Sequence, residues 1–237
     1  SAKLKAARTL GERLAYLGAF WDTCKAIAYA HSHGVIHRDL KPANVMLGRY
    51  GETVLLDWGL AKIKDAPEEQ VSQPSPLPSG PGEDLTGDGQ AMGTPSYMSP
   101  EQARGEEVDE RTDVWGLGAV LYRLLTGEAP YGSGANEVRI ARAMFGGVKP
   151  VLARCPDAPP ELAAIAHKAL QRDKRDRYQS ALEIAEEIRA FMTGGRVRAY
   201  TYSTWDLLRR FAADHRGAVL GSAVALLAVV GALVAVT

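Results

Sequence analysis

A small set of polar side chains in neighbouring stretches of the sequence could carry chemistry. Asp39, Lys41 and Asn44 lie in the stretch HRDLKPANVML, and Asp57 opens a DWG triplet shortly afterwards. Carboxylate and amide oxygens can hold magnesium ions on phosphate groups, and a lysine can neutralise a phosphate during its transfer. These residue types therefore suit phosphoryl transfer. Each of them, taken alone, could equally be a turn residue, a surface lysine or a solvated carboxylate.

The surrounding residues make this pattern specific. His37 and Arg38 stand directly before Asp39, and short apolar runs separate the loop from the Asp-aromatic-Gly triplet. A catalytic loop followed at this spacing by a metal-binding triplet is the signature of protein kinases. The chain resembles that family over about residues 12–192, and within it the bacterial, membrane-tethered Ser/Thr kinases of the eukaryotic-like type.

The resemblance implies a role for each polar residue of the loop. Asp39 resembles the base that accepts the proton of the substrate hydroxyl. Lys41 resembles the residue that neutralises the γ-phosphate of ATP in Ser/Thr kinases, and a lysine there argues against a tyrosine kinase. Asn44 and Asp57 resemble the ligands of Mg²⁺ (or Mn²⁺) on the phosphates. The implied substrates are ATP and proteins with Ser or Thr hydroxyls.

Further residues match supporting positions of the family. Thr94 resembles the threonine that joins the base and the lysine and shapes the substrate-docking loop. Asp113 resembles a carboxylate that hydrogen-bonds the catalytic-loop backbone, and it stands where a negative charge favours the start of a helix. His37 and Gly59 are motif residues that we expect to act in support, with His37 packing as structure.

The chain departs from the usual family pattern in its DWG and SPE triplets. Trp58 stands where Phe is usual, and we expect another large aromatic ring to pack in its place. Ser99 stands where Ala is usual and is a small substitute. Glu101 keeps the charge of the triplet, and the resemblance implies that it pairs with a buried Arg177. The alternative is that these two charges lie unrelated on the surface.

Arg38 implies a regulatory site in the segment between the motifs. In the family, the arginine before the catalytic Asp binds a phosphorylated residue in the segment that here covers residues 57–101. A phosphate adds charge and acceptor oxygens that can order a loop. The candidate phosphate acceptors in this chain are Ser72, Ser75, Ser79 and Thr86.

Apolar periodicity predicts the elements that position these residues. The predicted fold is mainly α-helical with one small β-hairpin, as in the C-terminal lobe of the protein kinase fold. The predicted helices cover residues 12–33, 113–125, 162–170 and 181–191, the hairpin strands cover 45–47 and 53–56, and loops cover 35–44 and 66–90.

The end of the sequence predicts one transmembrane helix. Residues 217–237 contain no charged residue, and about 21 residues at roughly 1.5 Å each match the hydrocarbon thickness of a bilayer. By the positive-inside rule, the preceding basic residues place the kinase region in the cytoplasm. The alternative is a buried core helix. Gly217 and Gly221 have GxxxG spacing, a weak indication of a homodimer. The basic residues are Arg209, Arg210, His215 and Arg216.

Composition excludes other classes of function. The formal net charge is +0, which gives no electrostatic case for a nucleic-acid partner. Cys24 and Cys155 lie far apart and predict neither a disulfide framework nor a zinc site. His31 and His33 have no nearby cysteine or carboxylate in sequence, so we expect no metal site there.

The sequence lacks a Gly-rich loop and a lysine-bearing strand before the first predicted helix, and kinases carry both in their N-terminal lobe. The sequence also does not begin with Met. We therefore expect a piece of a longer kinase, inactive by itself. It would comprise a C-terminal lobe only (1–193), a basic juxtamembrane linker (194–216) and a transmembrane helix (217–237). The alternative function is a non-catalytic, membrane-tethered docking module.

Overall fold

The computed structural model of the chain describes residues 7–63, 94–145, 147–205 and 208. The chain divides into a unit of residues 1–199 and a unit of residues 200–237. In the second unit, the rings of Tyr200 and Tyr202 lie edge to face with centroids 4.8 Å apart. The first unit contains all the elements described below, and its largely helical character confirms the predicted class.

The first helical stretch consists of two helices, α1 (Leu10–Leu14) and α2 (Leu17–Ser32). The sequence predicts one continuous helix over 12–33. That prediction is wrong where a turn separates α1 from α2. Thr9 and Glu12 form a capping box at the start of α1, which fixes where that helix begins. Gly34 follows α2 with a φ of 72°, a backbone conformation that glycine adopts easily.

The strands form separate two-stranded antiparallel sheets. The predicted hairpin is present as β2 (Val45–Leu47) and β3 (Thr53–Leu55), with Met46 opposite Val54. Strand β1 (Val35–Ile36) pairs with β4 (Lys62–Ile63). The sequence predicts a loop at β1, because a strand of two residues is too short to show an apolar alternation.

The remaining helices were predicted only in part. They are α3 (Pro100–Arg104), α4 (Glu110–Thr126), α5 (Asn136–Phe145), α6 (Val151–Arg154), α7 (Pro160–Ala169) and α8 (Ala181–Met192), with short 3₁₀ turns at Pro42–Asn44 and Lys174–Asp176. The predictions at 113–125, 162–170 and 181–191 are confirmed as α4, α7 and α8. The sequence does not predict α3, α5 and α6, since α3 and α6 are very short and α5 buries only Ala143.

Helix α4 forms the centre of the core. It packs against α1, α2, α6, α7 and α8, and 13 of its 17 residues are buried. Two of its glycines let other segments approach closely. A Cβ on Gly116 would lie 2.7 Å from the Cβ of Leu40, and one on Gly118 would lie 2.7 Å from the Cβ of Ala169. Since carbon atoms pack at about 3.5–4.0 Å, neither position has room for a methyl group. Leu40 belongs to the HRD loop (residues 37–44), so α4 directly supports that loop.

A buried ion pair ties α3 to the region after α7. Arg177 donates to both carboxylate oxygens of Glu101, at 2.7 and 2.8 Å, and both side chains are almost fully buried. Thr112 also donates to Glu101. Burial alone would raise the pKa of Glu101, but the hydrogen bonds and charge of Arg177 outweigh it and lower that pKa. The pair expected between these residues is therefore present, with the carboxylate held in its charged form.

Within the described residues, no helix has the length and apolar character needed to cross a bilayer. The span predicted at residues 217–237 lies outside the described residues, as does the end of the predicted basic linker. The loop predicted over 66–90 also lies outside them.

We predict that Arg177→Met destabilises the fold by about 3–5 kcal/mol at neutral pH, because it leaves the Glu101 carboxylate buried without its partner. Denaturant unfolding measures this loss. Arg175→Met is the matched control, since Arg175 is exposed and pairs with Asp173 at the surface, where an ion pair contributes little.

The same pair gives a pH dependence. The folded-state pKa of Glu101 lies below its ordinary value. Its stabilising contribution is therefore complete above the ordinary carboxyl pKa and is lost as the pH falls through the folded-state value. The stability gap between wild type and Arg177→Met should narrow in acid. A gap that stays constant from neutral to acidic pH would contradict this assignment.

Candidate active site

The HRD loop folds back on itself through Asn44. The loop connects β1 to the 3₁₀ turn, and both Asp39 and Asn44 are largely buried. The amide nitrogen of Asn44 donates to the backbone carbonyl of Asp39 at 2.8 Å and lies 3.4 Å from its carboxylate. Because the nitrogen is used as a donor, the amide oxygen is the atom of Asn44 that a cation could bind.

Asp39, Lys41 and Thr94 form a closed triangle of contacts. The Lys41 ammonium lies 2.8 Å from the Asp39 carboxylate and donates to the Thr94 hydroxyl at 2.8 Å. The backbone N–H of Thr94 donates to the other carboxylate oxygen at 3.2 Å. The structure thus brings together residues that lie 53 and 55 positions apart in the sequence. At this distance, the carboxylate could accept a proton from a hydroxyl while the ammonium neutralises a phosphate beside it.

The DWG triplet lies beside the same loop. The backbone N–H of Leu56 donates to the carbonyl of Asn44 at 2.8 Å, which places Asp57 next to the HRD loop. Asp57 has a φ of 62°, a left-handed conformation that is unfavourable for a residue with a side chain. At Gly59, a Cβ would approach the Asp57 carboxylate to 3.4 Å.

His37 connects the HRD loop to the triplet. Its imidazole Nε2 lies 3.1 Å from the carbonyl of Leu56, and its ring packs on Trp58 with centroids 4.7 Å apart. The backbone N–H of Asp39 donates to the other ring nitrogen at 3.3 Å. His37 itself is completely buried. Trp58 therefore packs on the HRD loop with one face while its indole remains partly exposed.

A buried carboxylate in the first turn of α4 organises the loop backbone. Asp113 accepts hydrogen bonds from the backbone N–H groups of His37 and Arg38, both at 2.8 Å. His31, in the last turn of α2, lies 2.8 Å from the same carboxylate. The sequence did not reveal His31 as a partner because Asp113 lies 82 residues away. Arg38 has a φ of 68°, an unfavourable backbone conformation for a residue with a side chain. The carboxylate of Asp113 therefore stabilises a strained part of the loop backbone.

One face of the hairpin beside the site is apolar and exposed. The side chains of Met46, Val54, Leu56 and Trp58 are between 38% and 47% exposed, and they lie next to Asn44 and Asp57. Sequence reasoning missed this face, although alternate apolar residues along two paired strands were visible. A large flat group of apolar character would be stabilised on it.

The candidate phosphate acceptors Ser72, Ser75, Ser79 and Thr86 lie outside the described residues. The part of the chain that the structure describes contains no cluster of His, Cys, Asp and Glu residues suited to a metal ion.

We predict that His31→Leu lowers the free energy of unfolding by about 1–3 kcal/mol, because the buried carboxylate of Asp113 loses a hydrogen-bond donor. Chemical denaturation measures this change. His33→Leu is the matched control, because His33 is exposed and contacts Tyr29 and Ser32 of its own helix. That variant should stay within about 0.5 kcal/mol of wild type. An equal loss of unfolding free energy in both variants would show that the contact of His31 with Asp113 does not contribute specifically to stability.

Comparison with known proteins assigns this geometry to a family. Residues 3–188 match the protein kinase domain family. Serine/threonine-protein kinase PknD of Protochlamydia amoebophila is 40% identical over 203 residues, which cover 81% of this chain and 21% of that protein. PknD of Chlamydia felis is 36% identical over 180 residues, covering 76% and 19%. PknB of Mycolicibacterium smegmatis is 38% identical over 168 residues, covering 70% and 24%.

The chain thus spans between about a fifth and a quarter of the length of these relatives. All of them are named as bacterial Ser/Thr kinases. The family match covers most of the chain, including the HRD loop, the DWG triplet and α4. The chain belongs to the protein kinase domain family.

Proposed function

We propose that the chain carries the C-terminal lobe of a kinase that transfers the γ-phosphate of ATP to Ser and Thr hydroxyls of proteins. The observation that carries this proposal is the triangle of Asp39, Lys41 and Thr94, with both bonds of Lys41 at 2.8 Å. Homologues that are named as Ser/Thr kinases support the choice of acceptor.

In this proposal, Asp39 acts on the attacking hydroxyl. The hydroxyl oxygen forms a bond to the γ-phosphorus while the bond to the bridging oxygen of ADP breaks, and the hydroxyl proton passes to the Asp39 carboxylate. The Thr94 N–H holds the carboxylate in place. Lys41 supplies a positive charge beside the transferred group, where negative charge is spread over the phosphate oxygens.

The residues present also fit the magnesium that such a transfer uses. Asn44 and Asp57 offer an amide oxygen and a carboxylate, and hard oxygen ligands are what Mg²⁺ prefers. The hydrogen bond from Leu56 to the Asn44 carbonyl keeps these two positions together. When bound, the metal would neutralise charge on the β- and γ-phosphates.

The exposed apolar face of the hairpin supports a further part of the proposal. Met46, Val54 and Leu56 leave a flat apolar surface beside the residues that would hold the phosphates. The adenine ring of ATP and an N-terminal lobe would cover this surface. We therefore propose residues 1–193 as the C-terminal lobe, acting together with an N-terminal lobe that carries the Gly-rich loop and its lysine.

We also propose that residues 194–216 form a juxtamembrane linker and that residues 217–237 anchor the kinase in the cell membrane by a single pass, with the kinase region in the cytoplasm. The support is the sequence pattern of basic residues followed by a charge-free apolar run. The same segment would provide the contact for a homodimer.

Deleting residues 217–237 from the kinase that contains this chain should move it from the membrane fraction to the supernatant, because the deletion removes the apolar run. Ultracentrifugation after an alkaline carbonate wash measures the distribution. A deletion of residues 203–208 is the control and should leave the kinase in the pellet. Wild-type kinase found mainly in the supernatant would contradict the anchor.

Asp39→Asn should lower kcat by about 10²–10⁴-fold in that kinase, because an amide cannot accept the hydroxyl proton. Transfer of labelled phosphate from Mg-ATP to a Ser- or Thr-containing protein measures the rate. Asp157→Asn is the control, since Asp157 is exposed and lies outside the site. Wild-type activity in Asp39→Asn would exclude Asp39 as the base. An inactive wild-type kinase that still binds protein partners would instead support the docking function.

A further inference from the structure

The side chain of Gln102, in α3, connects two functional segments. Its amide oxygen accepts from the backbone N–H and from the hydroxyl of Ser99, both at 3.1 Å. Its amide nitrogen donates to the backbone carbonyl of Arg38 at 2.6 Å. A backbone N–H can only donate and a carbonyl can only accept, so these partners fix which end of the amide points where.

The position of the Arg38 carbonyl affects the geometry of the HRD loop. Arg38 has a φ of 68°, a left-handed conformation that is unfavourable for a residue with a side chain. Asp113 holds its N–H and Gln102 holds its carbonyl, so side chains from separate helices fix both polar groups of this residue. The next residue is Asp39. Any rotation of the Arg38 peptide therefore moves the catalytic base.

The segment that ends at Gln102 is attached to the HRD loop at both ends. At its start, Thr94 contacts Asp39 and Lys41. At its end, Gln102 contacts Arg38. Between them, Ser99 is completely buried and caps α3. The folding of residues 94–102 is thus coupled to the geometry of the HRD loop. At the far end of this segment, the side-chain amide of Gln102 makes the connection.

We propose that Gln102 is a positioning residue for phosphoryl transfer: it holds the Arg38 carbonyl so that Asp39 is correctly placed only when residues 94–102 are folded. This inference rests on the proposed kinase function. The backbone N–H of Ser99 orients the Gln102 amide, whereas the Ser99 hydroxyl caps α3.

Two substitutions test the helix cap at Ser99 separately from the bridge, which is the hydrogen bond from the Gln102 amide to the Arg38 carbonyl. Gln102→Glu keeps an acceptor for Ser99, and Glu is a normal partner in a capping box. It cannot donate to the Arg38 carbonyl when ionised, so the bridge is lost. Ser99→Ala removes the hydroxyl from the cap but leaves the Gln102 nitrogen in place to donate to Arg38.

The variants are compared in the complete kinase by steady-state kinetics and thermal unfolding. We expect Gln102→Glu to lower kcat about tenfold, which corresponds to about 1.4 kcal/mol, with the KM for ATP unchanged and a Tm no lower than that of Ser99→Ala. We expect Ser99→Ala to lower the Tm with kcat near wild type. Gln102→Glu with wild-type kcat would overturn the proposal. So would an equal loss of kcat in Ser99→Ala, or a Tm of Gln102→Glu far below that of Ser99→Ala.

Amide hydrogen exchange provides a readout that does not depend on activity. Peptides that contain residues 37–41 should exchange faster in Gln102→Glu than in Ser99→Ala, because only the former frees the Arg38 carbonyl. Equal exchange in the two variants would overturn the coupling. If the wild-type kinase transfers no phosphate, the proposed function fails. Faster exchange in Gln102→Glu would still support the connection between Gln102 and the HRD loop.

Discussion

A carboxylate buried at the start of the central helix must be paired with donors, and Asp113 meets this requirement with the backbone of the HRD loop. Its donors are the N–H groups of His37 and Arg38 and the ring of His31. A buried charge without such partners would be strongly destabilising. The loop that bears Asp39 is therefore fixed to α4 by the same requirement that stabilises the folded chain. Fold stability and site geometry cannot be varied separately at this point.

Helix α4 extends this coupling through the rest of the unit. Gly116 admits Leu40 at a distance that a side chain would prevent, and Gly118 admits α7 on another side. Near the start of the helix, Thr112 contacts Glu101, whose pair with Arg177 fixes α3. The helix thus positions the HRD loop, α3 and the core helices together. A disturbance in one of these contacts would be transmitted to the others, because close-packed interiors transmit strain.

The sequence predicted the parts of this arrangement that have a local signal. Helices α4, α7 and α8 show strong apolar periodicity, and the HRD and DWG motifs identify the polar residues that meet in the site. The hairpin was predicted because its strands are adjacent in sequence. The transmembrane span stays a prediction, since it lies outside the described residues.

Other features have no local signal. Strands β1 and β4 are too short to show alternation, and the apolar pattern runs across the turn that separates α1 from α2. The contact of His31 with Asp113 and that of Gln102 with Arg38 join residues far apart in sequence. Their residue types are ordinary for helices, so only the folded geometry distinguishes them from surface polar residues.

The left-handed backbone at Arg38 and Asp57 has a consequence for the evolution and engineering of this chain. Among the described residues, these are the non-glycine positions with positive φ, and both lie in the site. Glycine at either position would relieve the unfavourable conformation but would remove the side chain. A selection for thermal stability alone would thus favour replacements that impair the chemistry. Designs that aim to stabilise this chain should therefore leave both residues unchanged.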